Sequence, residues 1–243
     1  LQRDDPAHFS PRLRAWILTR WADVRHALSA PEMSVDRIRP FHAALPADQR
    51  ATLDEIVRYL ALWLVFRDPP EHTRLRRLMG RAFTLTAVEG LRPNVEAIAE
   101  HLLDRLDPRA ETDFTAEFAM PLPAYVIMDL LGVPRDAMPA MKGWSDEMQL
   151  FIGSAQGTPD KYQRAAHGAR EMAALFRGLI EDRRATPRDD LISKLIAARD
   201  EDDALSEDEL IAACMLVLFG GHETTTNLLS TGFLKFLKHP EQA

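Results

Sequence analysis

The hydrophobic pattern along this chain is helical almost throughout. From Ile211 to Phe219 nothing is polar except the thiol of Cys214, and Leu228, Leu229, Phe233, Leu234 and Leu237 carry the apolar run onward. Ser206 with Glu209 three residues on forms a capping box, and Glu207 and Asp208 set negative charge in the first turn. Residues 206–238 therefore predict one helix of about 31 residues, about 46 Å long. Being apolar nearly all round, it should be the buried axis on which the other elements pack.

Other helices follow from the same spacing. Trp21, Val24 and Leu28 share a face of a short helix over 21–29, and Pro31, Pro40 and Pro46 punctuate a polar connection. Leu53, Ile56, Val57, Leu60, Ala61 and Leu64 keep helical spacing within 47–66. Val88, Leu91, Val95, Ile98, Leu102 and Leu106 make a long amphipathic helix with Pro93 in its first turns. A helix over 114–131 is interrupted by Pro121 and Pro123 and stopped by Leu131-Gly132-Val133-Pro134. Helices over 137–151, 162–182 and 191–198 follow; a glycine-containing loop, 153–159, joins the first two. Residues 1–20 are irregular, with Trp16-Ile17-Leu18 the one strand-like piece, and Asp200–Asp203 is an acidic turn.

The long helix breaks its own pattern at Gly220-Gly221-His222-Glu223-Thr224-Thr225-Thr226. Two mid-helix glycines cost roughly 1 kcal/mol each relative to alanine, and the β-branched threonines add to that. Gly220 and Thr224 stack on one face, four residues apart, with Glu223 at its edge. Glycine clears room for something flat against the backbone, and the Thr224 hydroxyl can bond the carbonyl of residue 220 and bend the helix. Burial of Glu223 should raise its pKa, as a proton carrier needs; pairing with an arginine is the plainer alternative. His222-Glu223 also opens like a zinc-protease helix, but the second histidine would fall on Thr226, which excludes that reading.

Asp68-Pro69-Pro70-Glu71 marks a second sharp start, with Asp68 as the cap of a helix over 69–83. Taking His72 as zero on that helix, Arg76 lies near roughly 40°, beside the apolar Leu75, Leu78, Met79 and Ala82. Arg74, Arg77 and Arg81 cluster between roughly 140° and 200°, facing water. Cations beside an apolar face need anionic partners, so His72 and Arg76 form a candidate anion site.

Composition sets the frame. The 243 residues are 46% hydrophobic and 28% charged, as in a soluble globular protein, and the net charge of −7 argues against nonspecific nucleic-acid binding. One cysteine excludes an internal disulfide framework and fits a reducing, cytoplasmic setting; no stretch of 18 apolar residues points to a membrane. The start at Leu1 and the stop at His239-Pro240-Glu241-Gln242-Ala243 lead to the expectation of a fragment.

Phe219-Gly220-Gly221-His222-Glu223-Thr224-Thr225 resembles the oxygen-binding segment of the long central helix of soluble bacterial cytochrome P-450 enzymes. Asp68-Pro69-Pro70-Glu71-His72-Thr73-Arg74-Leu75-Arg76-Arg77 resembles that family's helix that grips the haem propionates through a His and an Arg four residues apart. Leu131-Gly132-Val133-Pro134, closing its helix, is similar too. The resemblance implies a mainly α fold: a single incomplete P-450 domain over 1–243, truncated before the C-terminal haem-ligand region and most of the sheet. It implies haem b as cofactor, with His72 and Arg76 on the propionates and Gly220 and Gly221 against the porphyrin. Thr224 would hydrogen-bond dioxygen and water, and Glu223 would relay protons.

By the same resemblance Leu60, Leu64 and Val65 of the 47–66 substrate-recognition region, with Leu216 and Phe219, would line the pocket of a small apolar organic substrate; plain core packing is the other reading of Leu60, Leu64 and Val65. The 153–159 loop would be a lid, with a plain connector as the alternative. Arg74, Arg77 and Arg81 would form the face for a ferredoxin, which with ferredoxin reductase delivers electrons from NAD(P)H. The implied reaction is monooxygenation, one atom of O2 entering the substrate. The family's axial cysteine lies outside this chain. Cys214, six residues before Gly220 and about 120° from it, is no substitute, so the isolated chain is expected to be inactive. A haem-free helical ligand-binding module, or a remnant retaining only packing, is the alternative.

Overall fold

The computed structural model describes residues 1–153, 158–200 and 203–242. A small antiparallel hairpin, β1 (Ala7–Ser10) and β2 (Ala15–Leu18), pairs Ala7 with Leu18 and Ser10 with Ala15. Thus Trp16-Ile17-Leu18 has a partner strand that the irregular pattern before it did not disclose. Helices follow: α1 (Trp21–Ser29), α2 (Ile38–Ala43), α3 (Ala47–Leu60) and, after a 3-10 turn at Leu64–Phe66, α4 (Glu71–Ala82). Then come α5 (Leu85–Glu89), α6 (Arg92–Asp104), α7 (Pro121–Leu131), α8 (Met138–Ile152), α9 (Lys161–Ala185) and α10 (Leu191–Ala197). A short hairpin, β3 (Arg199–Asp200) and β4 (Asp203–Ala204), leads into α11 (Glu207–Lys238).

The core lies where α3, α7, α9 and the first half of α11 meet; α8 and α9 pair along much of their length. Ile56, Leu60, Phe176, Ile180, Ile211 and Met215 are all fully buried there. The capping box of α11 forms as expected: Ser206 Oγ accepts from the Glu209 N–H, and Glu209 accepts from the Ser206 N–H.

Several expectations give way. The helix expected over 88–106 is two helices, broken at Gly90-Leu91, with Pro93 in the first turn of α6, where its missing N–H costs nothing. The run from Phe114 opens in one wide turn at Thr115–Ala119 before α7 begins at Pro121. Asp68 does not cap α4. Its carboxylate accepts from Ser34 Oγ and the Val35 N–H (3.0 Å), which holds it below the usual carboxylate range and fastens that loop to the start of α4. Residues 154–157 of the proposed lid lie outside the described residues.

A further departure concerns α11, which is not buried end to end. Leu210–Met215 are buried, but Leu228 is 70% and Leu237 65% exposed. Its second half is met by the segment around the wide turn: Phe114 stacks on Phe233 at 4.1 Å and Thr115 Oγ1 bonds Ser230 Oγ at 3.1 Å. Trp21 and Leu28 of α1 are likewise uncovered.

One packing node was invisible in the pattern. Gly132 ends α7 in the left-handed region (φ 71°), where glycine carries no side-chain penalty. Its carbonyl accepts from Arg183 (2.7 Å), whose Nε also donates to Asp190 (2.6 Å). Both side chains are almost wholly buried, and Asp190 also caps α10 by accepting from the Ser193 N–H at 2.8 Å. Burial pushes the Asp190 pKa up, but these donors outweigh it and hold the carboxyl below its ordinary value.

Candidate functional site

The break in α11 stays helical, and its polar groups are sorted by face. Thr224 Oγ1 donates to the Gly220 carbonyl at 2.7 Å, as its position suggested, and Thr226 Oγ1 donates to the His222 carbonyl at 2.8 Å. Hydroxyls bonding back in this way bend a helix. His222 is the buried member, 7% exposed, with Nδ1 2.8 Å from the Leu218 carbonyl. Glu223 is half-buried rather than buried, because α11 turns that edge outward, and it has no hydrogen-bond or ion-pair partner among the described residues.

The two glycines do different things. A Cβ at Gly220 would meet nothing within 4 Å, so that face is open. A Cβ at Gly221 would come within 2.4 Å of Ile127 Cδ1 and 2.5 Å of Cγ1. Gly221 therefore lets α7 approach α11, and only Gly220 clears space beside Thr224. The expectation that both would lie against one planar group is corrected accordingly.

On α4 the angular split of cations is real, but the outer set is engaged. Arg74 pairs with Glu209 and, at 3.3 Å, with Asp203; Arg77 and Arg81 share Asp200. Asp200 is 12% exposed, while both its arginines are about half exposed. These arginines fasten α4 to the β3–β4 hairpin and the start of α11, so they are not the free basic face that helical angles alone suggested. His72, half-buried, and Arg76, exposed, have no hydrogen-bond or ion-pair partner among the described residues. Of the α4 cations, these two are left available to an external anion.

The residues expected to line a pocket separate as well. Leu60 is 0% exposed and belongs to the core; Leu64, Leu216 and Phe219 are half-buried, and Val65 is 49% exposed. Trp63, which the pattern did not single out, joins the two segments. It is 2% exposed, stacks on Phe66 (6.1 Å, 5°) and packs on Phe219 (5.3 Å), one residue before Gly220. The Leu64–Phe66 turn in turn packs on α4. A short aromatic bridge thus connects the His72 helix to the break. Two buried donors on it, Trp63 Nε1 and Arg67 Nε, have no acceptor among the described residues. Their only signal in sequence was a Trp and an Arg just ahead of the Pro-Pro start.

The pattern of the Cytochrome P450 family matches residues 42–243, most of the chain and both motif segments. The chain belongs to the cytochrome P450 family. This P450 chain is 38% identical to vitamin D(3) 25-hydroxylase of Pseudonocardia autotrophica, a match covering 100% of the chain and 57% of that relative. It is 34% identical to 6-deoxyerythronolide B hydroxylase of Saccharopolyspora erythraea, covering 94% and 56%. Among solved structures, P450BioI in complex with an acyl carrier protein ligated to hexadec-9Z-enoic acid superposes with a TM-score of 0.88 at 28% identity, over 100% of this chain and 60% of that one. The chain spans a little over half the length of the curated relatives it matches.

Cys214 of this P450 chain is fully buried, and burial pushes its thiol pKa up, so it is an inert packing residue. Among the described residues no group of three or more His, Cys, Asp or Glu is placed to hold a metal ion, and no helix is long and apolar enough to cross a membrane. The test for a haem is therefore whether the remaining parts suit a flat dianion. Side chains at His72 and Arg76 without partners among the described residues, an open backbone strip at Gly220 and a fixed hydroxyl at Thr224 do suit one.

Proposed function

We propose that this chain forms the part of a haem-dependent monooxygenase that binds the porphyrin edge, presents the oxygen-side helix and shapes the substrate pocket. The single observation that carries the proposal is the division of basic side chains on α4: Arg74, Arg77 and Arg81 are paired, and His72 and Arg76 have no partner among the described residues. Haem b, when bound, supplies the activation of O2, one atom of which enters the substrate.

The chain's own residues do the rest. His72 and Arg76, one turn apart, hold carboxylates, the guanidinium by a planar fork that fits them. Gly220 leaves the backbone bare for a flat ring. Because the Thr224 hydroxyl proton is already committed to the Gly220 carbonyl, its oxygen is free to accept, and it holds a water or another donor at the open face. Glu223, half-buried and unpartnered, swings between that face and solvent and carries protons. Leu64, Val65, Leu216 and Phe219 offer apolar surface to an organic substrate; the relatives named for vitamin D(3) and 6-deoxyerythronolide B support an apolar one. Electrons come from NAD(P)H through a ferredoxin and its reductase. A ferredoxin reaching Arg74, Arg77 and Arg81 has to compete with Asp200, Asp203 and Glu209 for them.

The test is a chimera in which this chain is continued by the C-terminal part of the vitamin D(3) 25-hydroxylase. The expected result is the carbon monoxide difference spectrum of a reduced thiolate-ligated haem, with substrate oxidised. Thr224→Ala should keep the spectrum but divert electrons to hydrogen peroxide. A chimera that folds without a Soret band, or a fully coupled Thr224→Ala, refutes the proposal.

A further inference from the structure

Residues 63–76 carry hydrogen-bond donors that nothing among the described residues answers. Trp63 Nε1–H and Arg67 Nε–H are buried without an acceptor, and the Arg67 guanidinium makes no ion pair among the described residues, like His72 and Arg76. A guanidinium partly removed from water and left unpaired is a net loss to the folded chain. Acceptors were within reach of its neighbours. Arg58 takes Asp208 through two bonds of 2.7 Å, Arg37 lies over the Phe66 ring at 4.7 Å, and the outer arginines of α4 hold Asp200, Asp203 and Glu209.

Arg67 has extended backbone (φ −119°, ψ 139°) between the buried Phe66 and Asp68, whose carboxylate is bound to Ser34 and Val35. Its guanidinium joins none of these pairs among the described residues. The unanswered groups are all donors, and two of the four residues, Arg67 and Arg76, are cations. An anionic acceptor is the partner that suits them.

We infer that Arg67 is a third haem-binding residue, holding a propionate that the His72–Arg76 turn does not reach. The inference rests on the reading of residues 68–83 and the α11 break as a haem site. The porphyrin edge carries two carboxylates; His72 and Arg76 share one helical turn, whereas Arg67 projects from the extended segment before it. A propionate at Arg67 would supply the acceptor that its Nε lacks among the described residues.

The experiment titrates the same chimera with haemin and with haemin dimethyl ester, followed by Soret absorbance, alongside thermal unfolding without haemin. The unmodified chimera should bind haemin more tightly than the ester. Arg67→Met should weaken haemin about 10- to 100-fold, the worth of a hydrogen bond to a charged group, and leave the ester unchanged. Arg67→Lys should recover part of the loss. Without haemin, Arg67→Met should unfold no earlier than the parent, because it removes an unpaired charge. If Arg67→Met distinguishes acid from ester as well as the parent does, or unfolds earlier without haemin, the inference is wrong while the haem site stands. If the parent itself binds no haemin, or does not distinguish acid from ester, the haem-site reading falls and takes the inference with it.

Discussion

Adding one methyl group at each of the adjacent glycines of α11 separates their roles. Replacing a mid-helix glycine with alanine gains about 1 kcal/mol, from the lower entropy of the unfolded chain and better helix propensity, wherever the new Cβ has room. Gly220→Ala has that room, since nothing lies within 4 Å of the built Cβ. Gly221→Ala gains the same amount but drives its Cβ to 2.4 Å and 2.5 Å from two atoms of Ile127, well inside van der Waals contact. Overpacking of this kind costs about 1–3 kcal/mol, and Ile127 is half-buried, with some freedom to turn. The propensity gain is common to both variants and cancels in their difference. Gly220→Ala should therefore be more stable than Gly221→Ala by about 1–3 kcal/mol.

Urea unfolding of the chain without haem, followed by far-ultraviolet circular dichroism, measures that gap as a shift in midpoint at constant slope. In heat the gap corresponds to about 2–4 °C per kcal/mol for a chain of this size. Gly221→Ala combined with Ile127→Ala should lose most of the clash, giving a coupling that Gly220→Ala with Ile127→Ala lacks. Function should run the other way. In the chimera, Gly220→Ala, the more stable variant, should retain less haem, because its methyl group occupies the open strip. Equal stabilities for the two single variants, or a clash relieved equally by Ile127→Ala at both positions, would refute this division of labour.

The remaining predictions concern the ties that hold the site. Asp190→Asn should destabilise by about 3 kcal/mol, because it takes the buried charge partner from Arg183 and leaves the guanidinium only the half-exposed Asp182. The Asp190 carboxyl is held below its ordinary value, so its contribution is complete above the unfolded pKa of about 4 and lost as pH falls through the lower folded value; the variant should show a flatter acid-unfolding profile below about pH 4. Ser206→Ala should cost about 1 kcal/mol as a lost cap, and Glu209→Ala more, because Glu209 serves both the cap and Arg74; chemical unfolding compares them. Asp200→Asn should free Arg77 and Arg81 and raise the salt needed to elute the chain from a polyanion column; unchanged elution would show that Asp200 does not hold their charge.

How far the sequence reached depends on whether a feature was local. The capping box at Ser206 and the Thr224 bond to Gly220 involve residues three or four apart on one helix, where spacing fixes geometry, and both form. The angular split of the α4 cations is equally local and is found. What the residues at 72 and 76 had to meet, and what those at 74, 77 and 81 did meet, was not local. Asp200, Asp203 and Glu209 lie more than a hundred residues away, and pairing with them turned an expected basic face into an internal fastening.

The sequence by itself determined the helical architecture, the long helix with its thinned and hydroxylated centre, and the family, because periodicity and short motifs are properties of neighbouring residues. Only the tertiary structure decided that Gly221 serves Ile127 while Gly220 stays open, that Leu60 is core, that Glu223 keeps one side in solvent, and that Arg67 Nε is buried without an acceptor among the described residues. Each of these depends on what another element brings alongside, and helical spacing says which face a residue occupies but not what that face meets.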